Sequence, residues 1–308
     1  MRYEKQLFFK YIGKEGQDKI RKSTVTIVGV GALGSVSAEL LSRAGIGKLI
    51  LIDSDKIEIH NLQRQSLFDE KDIGKSKVEV AKSKISKINS EVEVESHNVN
   101  LDKYNLDLIQ GILVDGTDNM EVRDLMNKYC VSNNLPWVYG GIASSVGMVY
   151  FTSQGRACFN CIFNKVIPGI TCEGEGVLNT IAYTIASLQV TNVLRYIVGE
   201  EIENSLIRVN VWNSEFEKIK ISKKENCEVC GENTKKQNEI TTNKKNKIIN
   251  KTNTKKYNQI GKQTEEQEEG LERFIINKCK TKAAYSVRTR KQDKIDLKKA
   301  KKLLLDFF

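Results

Sequence analysis

Histidine is almost missing from this chain of 308 residues, which holds only His60 and His97. That scarcity argues against a histidine-based catalytic triad and against a histidine-rich metal site. No run of 18 apolar residues occurs, so no segment reads as a membrane-spanning helix. The opening residues Met1-Arg2-Tyr3-Glu4-Lys5 contain no apolar leader core, and the expectation is a cytoplasmic protein. No internal repeat of fixed period is found. Cysteine, by contrast, occurs seven times, which in such a chain points to metal or redox chemistry rather than a disulfide framework. The net charge of +10 is unevenly placed, because residues 235–308 carry 21 Lys and Arg against 9 Asp and Glu. The basic character therefore belongs to the tail, and the first 234 residues are slightly acidic.

The most informative stretch is Thr24-Val25-Thr26-Ile27-Val28-Gly29-Val30-Gly31-Ala32-Leu33-Gly34. A β-branched strand runs into a G-x-G-x-x-G turn formed by Gly29, Gly31 and Gly34, and a helix follows. Such a turn lets backbone N–H groups and a helix N-terminus approach a phosphate. Residues 49–53 read as a second buried strand ending in Asp53, at the distance where a ribose would be gripped. The order strand, turn, helix, strand, acid predicts an α/β fold with a Rossmann-like parallel sheet. A nicotinamide-dependent oxidoreductase is the first reading of that fingerprint alone.

Further elements follow from pattern. Residues 15–23, 33–43, 74–88, 120–131 and 178–198 read as helices, and 92–95 and 112–115 as strands. Residues 137–139 and 147–151 read as strands with no helix between them, predicting an antiparallel extension of the sheet, and 207–212 and 217–221 read as late strands. The chain divides into a main domain at 1–234, a Lys/Asn/Gln-rich flexible linker at 235–269, and a small basic α/β-like module at 270–308. Within the module 283–288 reads as a strand, and Asp296 as the cap of a helix running to residue 308.

Beyond Asp53 and Asp55 comes His60-Asn61-Leu62-Gln63-Arg64-Gln65. An Arg-bearing loop here suits an enzyme that handles a triphosphate better than one that binds a dinucleotide, since an Arg fork orients phosphate oxygens. Gly74-Lys75-Ser76-Lys77 then brings lysines to a helix start, either near that anion or on a solvated face. Asp115-Gly116-Thr117-Asp118-Asn119 ends a parallel strand at the sheet edge where ligands bind. Asp118 is a candidate Mg²⁺ ligand, or else the cap of the next helix.

The pairs Cys158/Cys161 and Cys227/Cys230 are two C-x-x-C knuckles, which together supply four thiolates for a closed, structural Zn²⁺ site. A redox role for one pair is the competing reading. Cys172 lies in a Gly-rich loop before a long helix, a setting that favours a nucleophilic thiolate. Cys130 falls in a helical pattern and reads as core, and Cys279 has no assigned role.

Together, Arg2-Tyr3-x-x-Gln6, the glycine turn, Asp53-x-Asp55, Asn61-Leu62-Gln63-Arg64-Gln65, Gly74-x-x-Lys77, Thr117-Asp118-Asn119 and the paired knuckles resemble the MoeB/ThiF/HesA family, relatives of the ubiquitin-activating enzymes. The resemblance covers residues 2–231. It implies ATP-dependent adenylation of the C-terminal Gly-Gly carboxylate of a ubiquitin-like sulfur-carrier protein, giving an acyl adenylate and pyrophosphate. By resemblance Asp53 holds the ribose, and Arg64 and Lys77 contact phosphates. Asp118 holds Mg²⁺ and Asn119 meets the nucleotide, with Asp55, Asn61 and Gln63 in the same site. Lys5 stands where the family usually has an arginine that reaches across a homodimer to the partner's ATP; lysine keeps the charge but loses the planar fork. Cys172 matches a position that in some relatives links covalently to the carrier. No rhodanese-like segment is recognisable after residue 231, so a separate sulfur donor is expected. The basic tail reads as a solvated linker plus module, or as a tRNA contact through clustered Lys and Arg. Competing functions are the oxidoreductase, a non-catalytic relative that binds a ubiquitin-like partner, and a tRNA-modifying dehydratase relative using the same fold.

Overall fold

The computed structural model describes residues 2–163 and 176–231. Two short helices, α1 (Glu4–Leu7) and α2 (Gly13–Arg21), precede the first strand, β1 (Thr24–Val28). Then come α3 (Ala32–Ala44), β2 (Lys48–Ile52), α4 (Lys77–Ile88), β3 (Glu93–His97), β4 (Ile112–Asp115) and α5 (Met120–Asn133). The later half holds β5 (Trp137–Ala143), β6 (Val146–Thr152), α6 (Phe159–Ile162), α7 (Asn179–Val198), β7 (Ser205–Asn210) and β8 (Glu215–Lys220). The stretches read as a linker (235–269) and a C-terminal module (270–308), with Cys172 and Cys279, lie outside the described residues.

The eight strands of the described residues join one sheet in the order β3-β2-β1-β4-β5-β6-β7-β8. From β3 to β5 the pairing is parallel, and from β5 to β8 it is antiparallel. The predicted antiparallel extension is thus present. Strands β1 and β2 are near-continuous apolar runs because helices cover both of their faces. On one face Val25, Ile27, Leu49 and Leu51 pack with α3, α4 and α7. On the other, Val28, Ile50 and Ile52 join a cluster with α5, α6 and the four knuckle cysteines. Cys130 is in that cluster, and burial pushes its thiol up to about 12, which makes it inert at neutral pH. At the sheet edge β8 exposes Phe216, Lys218 and Lys220 and turns Glu217 and Ile219 to the less exposed face; lysines on an edge strand discourage further strand pairing.

The order of the strands creates the site. From β1 the chain winds outward to β2 and β3, then crosses back to place β4 on the other side of β1. Loops after β1 and β4 therefore diverge from a common crevice, where ligands of open α/β sheets bind.

Candidate active site

The crevice is a cavity of about 780 Å³ at the C-terminal ends of β1, β2 and β4. Its floor is the glycine turn. Gly29 has φ +82°, and a Cβ there would lie 2.7 Å from the backbone of Gly116. At Gly34 a Cβ would come within 1.9 Å of the Gly29 carbonyl oxygen. Those two glycines let the β1 turn, the β4 loop and α3 pack against one another. Gly31 differs: the nearest atom to its hypothetical Cβ is 3.7 Å away, and it lines the cavity at the start of α3. No neighbouring protein atom requires a glycine there; an anion approaching the backbone would.

Asp53 follows Ile52, the last residue of β2, rather than ending the strand, and its carboxylate turns back onto the loop. Oδ2 accepts the N–H of Val30 at 2.6 Å, and Oδ1 accepts the N–H of Asp55 at 2.7 Å. Burial raises its pKa, opposed by Lys77 and by the two backbone donors. Lys77, the first residue of α4, is buried with its Nζ 2.8 Å from Asp55 Oδ2, while the Asp55 side chain is 66% exposed. Arg64 lines the cavity, and its Nη1 donates to the His60 carbonyl at 2.9 Å. Asn61 lines it too, although its Oδ1 is engaged with the N–H of Glu58 at 3.0 Å.

On the β4 side, Asp118 and Asn119 are exposed at the cavity rim. Of the two, Asn119 is the helix cap: its Oδ1 accepts the N–H groups of Glu121 and Val122. Asp118 is thus left to face the cavity. Gln63 does not line it; its carboxamide points to the Val177 carbonyl at 3.4 Å. Lys5 is exposed on α1 and also lies outside this cavity.

Sequence reasoning passed over three residues. Gln65 lines the cavity beside Gly31, and its Oε1 is buried without a hydrogen-bond partner. Arg123 is buried, with Nε donating to Asp115 at 2.9 Å and Nη2 to the carbonyls of Thr117 and Gly140. Burial, the largest single influence, would lower its pKa, but Asp115, Tyr139 and Asp118 together outweigh it and keep the guanidinium charged. The same burial raises Asp115, yet its three donors, Thr117 N, Thr117 Oγ1 and Arg123 Nε, all need acceptor oxygens. Asp115 and Arg123 therefore form an ion pair that pins the loop carrying Asp118. Gln189, from α7, braces the same loop by donating to the Asp115 and Val138 carbonyls. The signal for Gln65 lay in the loop motif itself; Arg123 and Gln189 act through contacts that no local pattern displays.

The second constellation lies below the sheet. The Sγ atoms of Cys158, Cys161, Cys227 and Cys230 all fall within 4.8 Å of one another and are buried. Cys158 and Cys227 are 3.6 Å apart, and Cys161 and Cys230 are 3.5 Å apart. Four thiolates around a tetrahedral zinc with bonds near 2.3 Å would stand about 3.8 Å apart, so the donor set and spacing fit that ion.

The family model for ThiF matches residues 3–229. The chain belongs to the ThiF family. The tail from residue 235 lies beyond that match. Among ThiF-related proteins, the sulfur carrier protein ThiS adenylyltransferase of Bacillus subtilis is 35% identical over 239 residues, covering 75% of this chain and 71% of that protein. The molybdopterin-synthase adenylyltransferase of Escherichia coli is 30% identical over 240 residues, covering 75% and 96%. Among solved structures, E. coli MccB with MccA-N7isoASN superposes with a TM-score of 0.68 at 28% identity, over 75% of each chain. A structure of MccB with ATP gives a TM-score of 0.65 at 28% identity, over 75% of this chain and 74% of that one.

Proposed function

We propose that this protein adenylates the C-terminal Gly-Gly carboxylate of a ubiquitin-like sulfur-carrier protein. One observation carries the reading: basic Lys77 and Arg64, acidic Asp118 and the open backbone of Gly31 converge on one cavity at the topological switch point. A carboxylate oxygen of the carrier attacks the α-phosphorus of ATP. The new C–O–P link forms as the bond from that phosphorus to the bridging oxygen breaks, and pyrophosphate leaves with its electron pair. The nucleophile is already ionised at neutral pH, so no general base is needed and the scarcity of histidine costs nothing. The work of the protein is to align two anions and offset their repulsion.

In this reading Asp53, fixed by its two backbone donors, accepts from the ribose hydroxyls. Lys77 and Arg64 contact phosphate oxygens, with Asp55 as the resting partner of Lys77. Asp118 is the Mg²⁺ ligand, and the ion supplies positive charge to the phosphates. Asn119 and Asn61 shape the pocket wall while holding their own turns. The cysteine cluster holds a structural Zn²⁺, since all four sulfurs turn inward and leave no ligand position for substrate. We assign the exposed Lys5 to the nucleotide of a second copy in a homodimer, with sulfur coming from a separate donor.

ATP–pyrophosphate exchange, run with each small Gly-Gly-ending protein of the same genome, tests the activity and names the carrier. Exchange with one of them, abolished in Asp118→Ala, is the expected result. No exchange with any carrier, or normal exchange in Asp118→Ala, would overturn the activity or the metal assignment respectively. A nicotinamide-dependent hydride transfer would instead restore the oxidoreductase.

A further inference from the structure

Asn127 sits midway along α5, with a side chain fully shielded from solvent and outside the cavity. All its polar contacts run to the first cysteine pair. Its Oδ1 accepts the backbone N–H of Phe159 at 3.0 Å. Its Nδ2 donates to Asn160 Oδ1 at 3.3 Å and to Cys158 Sγ at 3.7 Å. A buried carboxamide costs free energy to desolvate, and an aliphatic side chain of similar size would fill this space without that cost. What the carboxamide adds is direction. Its carbonyl fixes the turn at Cys158, and its N–H groups point at the sulfur and at the residue between the paired cysteines. A second donor serves the same pair, the backbone N–H of Lys224, 3.5 Å from Cys161 Sγ. N–H groups directed at a sulfur stabilise the thiolate, the form that binds metal, and set the direction of its lone pairs.

We propose that Asn127 is a positioning residue for the cysteine cluster, orienting Cys158 toward the shared metal position and locking the 158–161 turn onto α5. The proposal rests on the zinc reading of the cluster, and the experiment separates the two. Zinc content of the wild-type protein tests the reading: a protein that takes up no zinc ends it. Competition against a chromogenic chelator then tests Asn127. Asn127→Asp keeps the acceptor for Phe159 but removes the donor, and Asn127→Ala removes both. Zinc affinity falls about 10–100-fold in these two variants and stays within about twofold in Asn133→Ala, whose carboxamide only meets the Tyr129 carbonyl on the exposed side of the same helix. Should the Asn127 variants not fold, NMR of the wild-type protein loaded with cadmium-113 reads the bond directly, as a scalar coupling from the metal to the Asn127 amide protons. Wild-type zinc affinity in the folded variants, or no such coupling, overturns the proposal.

Discussion

Lys77 shows how a single buried charge becomes a ligand contact. Its side chain is 7% exposed in the cavity wall, but its partner Asp55 stands mostly in solvent. An exposed carboxylate loses little on releasing it, so a phosphate oxygen can take its place. Lys77→Met therefore leaves the fold intact by circular dichroism and lowers ATP–pyrophosphate exchange by about 10²-fold. Asp53 gives a pH signature. Burial raises its pKa, whereas a ribose needs the carboxylate as acceptor. As pH falls, Asp53 is protonated before ordinary carboxylates are, so the KM for ATP rises from above the usual carboxylate range, and Asp53→Asn removes that dependence. Its effect on folding has the opposite sign. A raised native pKa means that the folded state holds the proton more tightly, so this contribution to stability is full in acid and is lost as pH rises through the native value. Asp53, Lys77 and Asp118 were legible in the sequence because each sits at a fixed offset from a strand end or helix start. Gln63 and Gln65 were not separable there: the turn at 59–61 sends one to the Val177 carbonyl and buries the other beside Gly31.

Helix α5 gathers three jobs at a spacing of four residues. Asn119 caps it, Arg123 pins the Asp118 loop, and Asn127 grips the first cysteine pair. Such spacing aligns side chains along one face, so the helix links the candidate nucleotide loop to the candidate metal site. Asn119→Ala removes the acceptor for two orphan N–H groups and costs about 1 kcal/mol of stability in urea titration. Because the cap adjoins Asp118, that variant also raises the KM for ATP more than it lowers kcat; an unchanged KM would show that the cap and the metal loop are independent. At this scale the sequence was readable for period but not for length. Residues 120–131 announced α5 by their apolar spacing, and the helix runs on to Asn133. Strand β5 was read as three residues and has seven, because Gly140-Gly141 breaks the apolar pattern while the ladder to Met148 and Val149 keeps it extended. Pairing across strands supplies what local propensity withholds.

In the whole molecule the sheet is built from two unlike halves. The parallel half is enclosed by α3, α4, α5 and α7, so its stability comes from apolar burial on both faces. The antiparallel half ends in the β8 edge strand, and there the cysteine cluster joins the segment after β6 to the segment after β8. Cys158 and Cys227 are 69 residues apart in sequence, and closing so long a loop through a metal removes much of the freedom of the unfolded chain. Zinc should thus stabilise this half most. With free zinc at about 10³ times its dissociation constant the gain is about 4 kcal/mol, equivalent to about 10 °C in Tm for a domain of this size. The expected result is one zinc per chain by elemental analysis and a Tm that falls by that order after chelation, restored on adding zinc back. Amide exchange after chelation should quicken first in β7 and β8, with β1 and β2 still protected, because the first pair loses its tether and the second keeps its core. Equal loss of protection across all eight strands would mean that the metal supports the fold as one unit, and an unchanged Tm would remove zinc from the account of its stability.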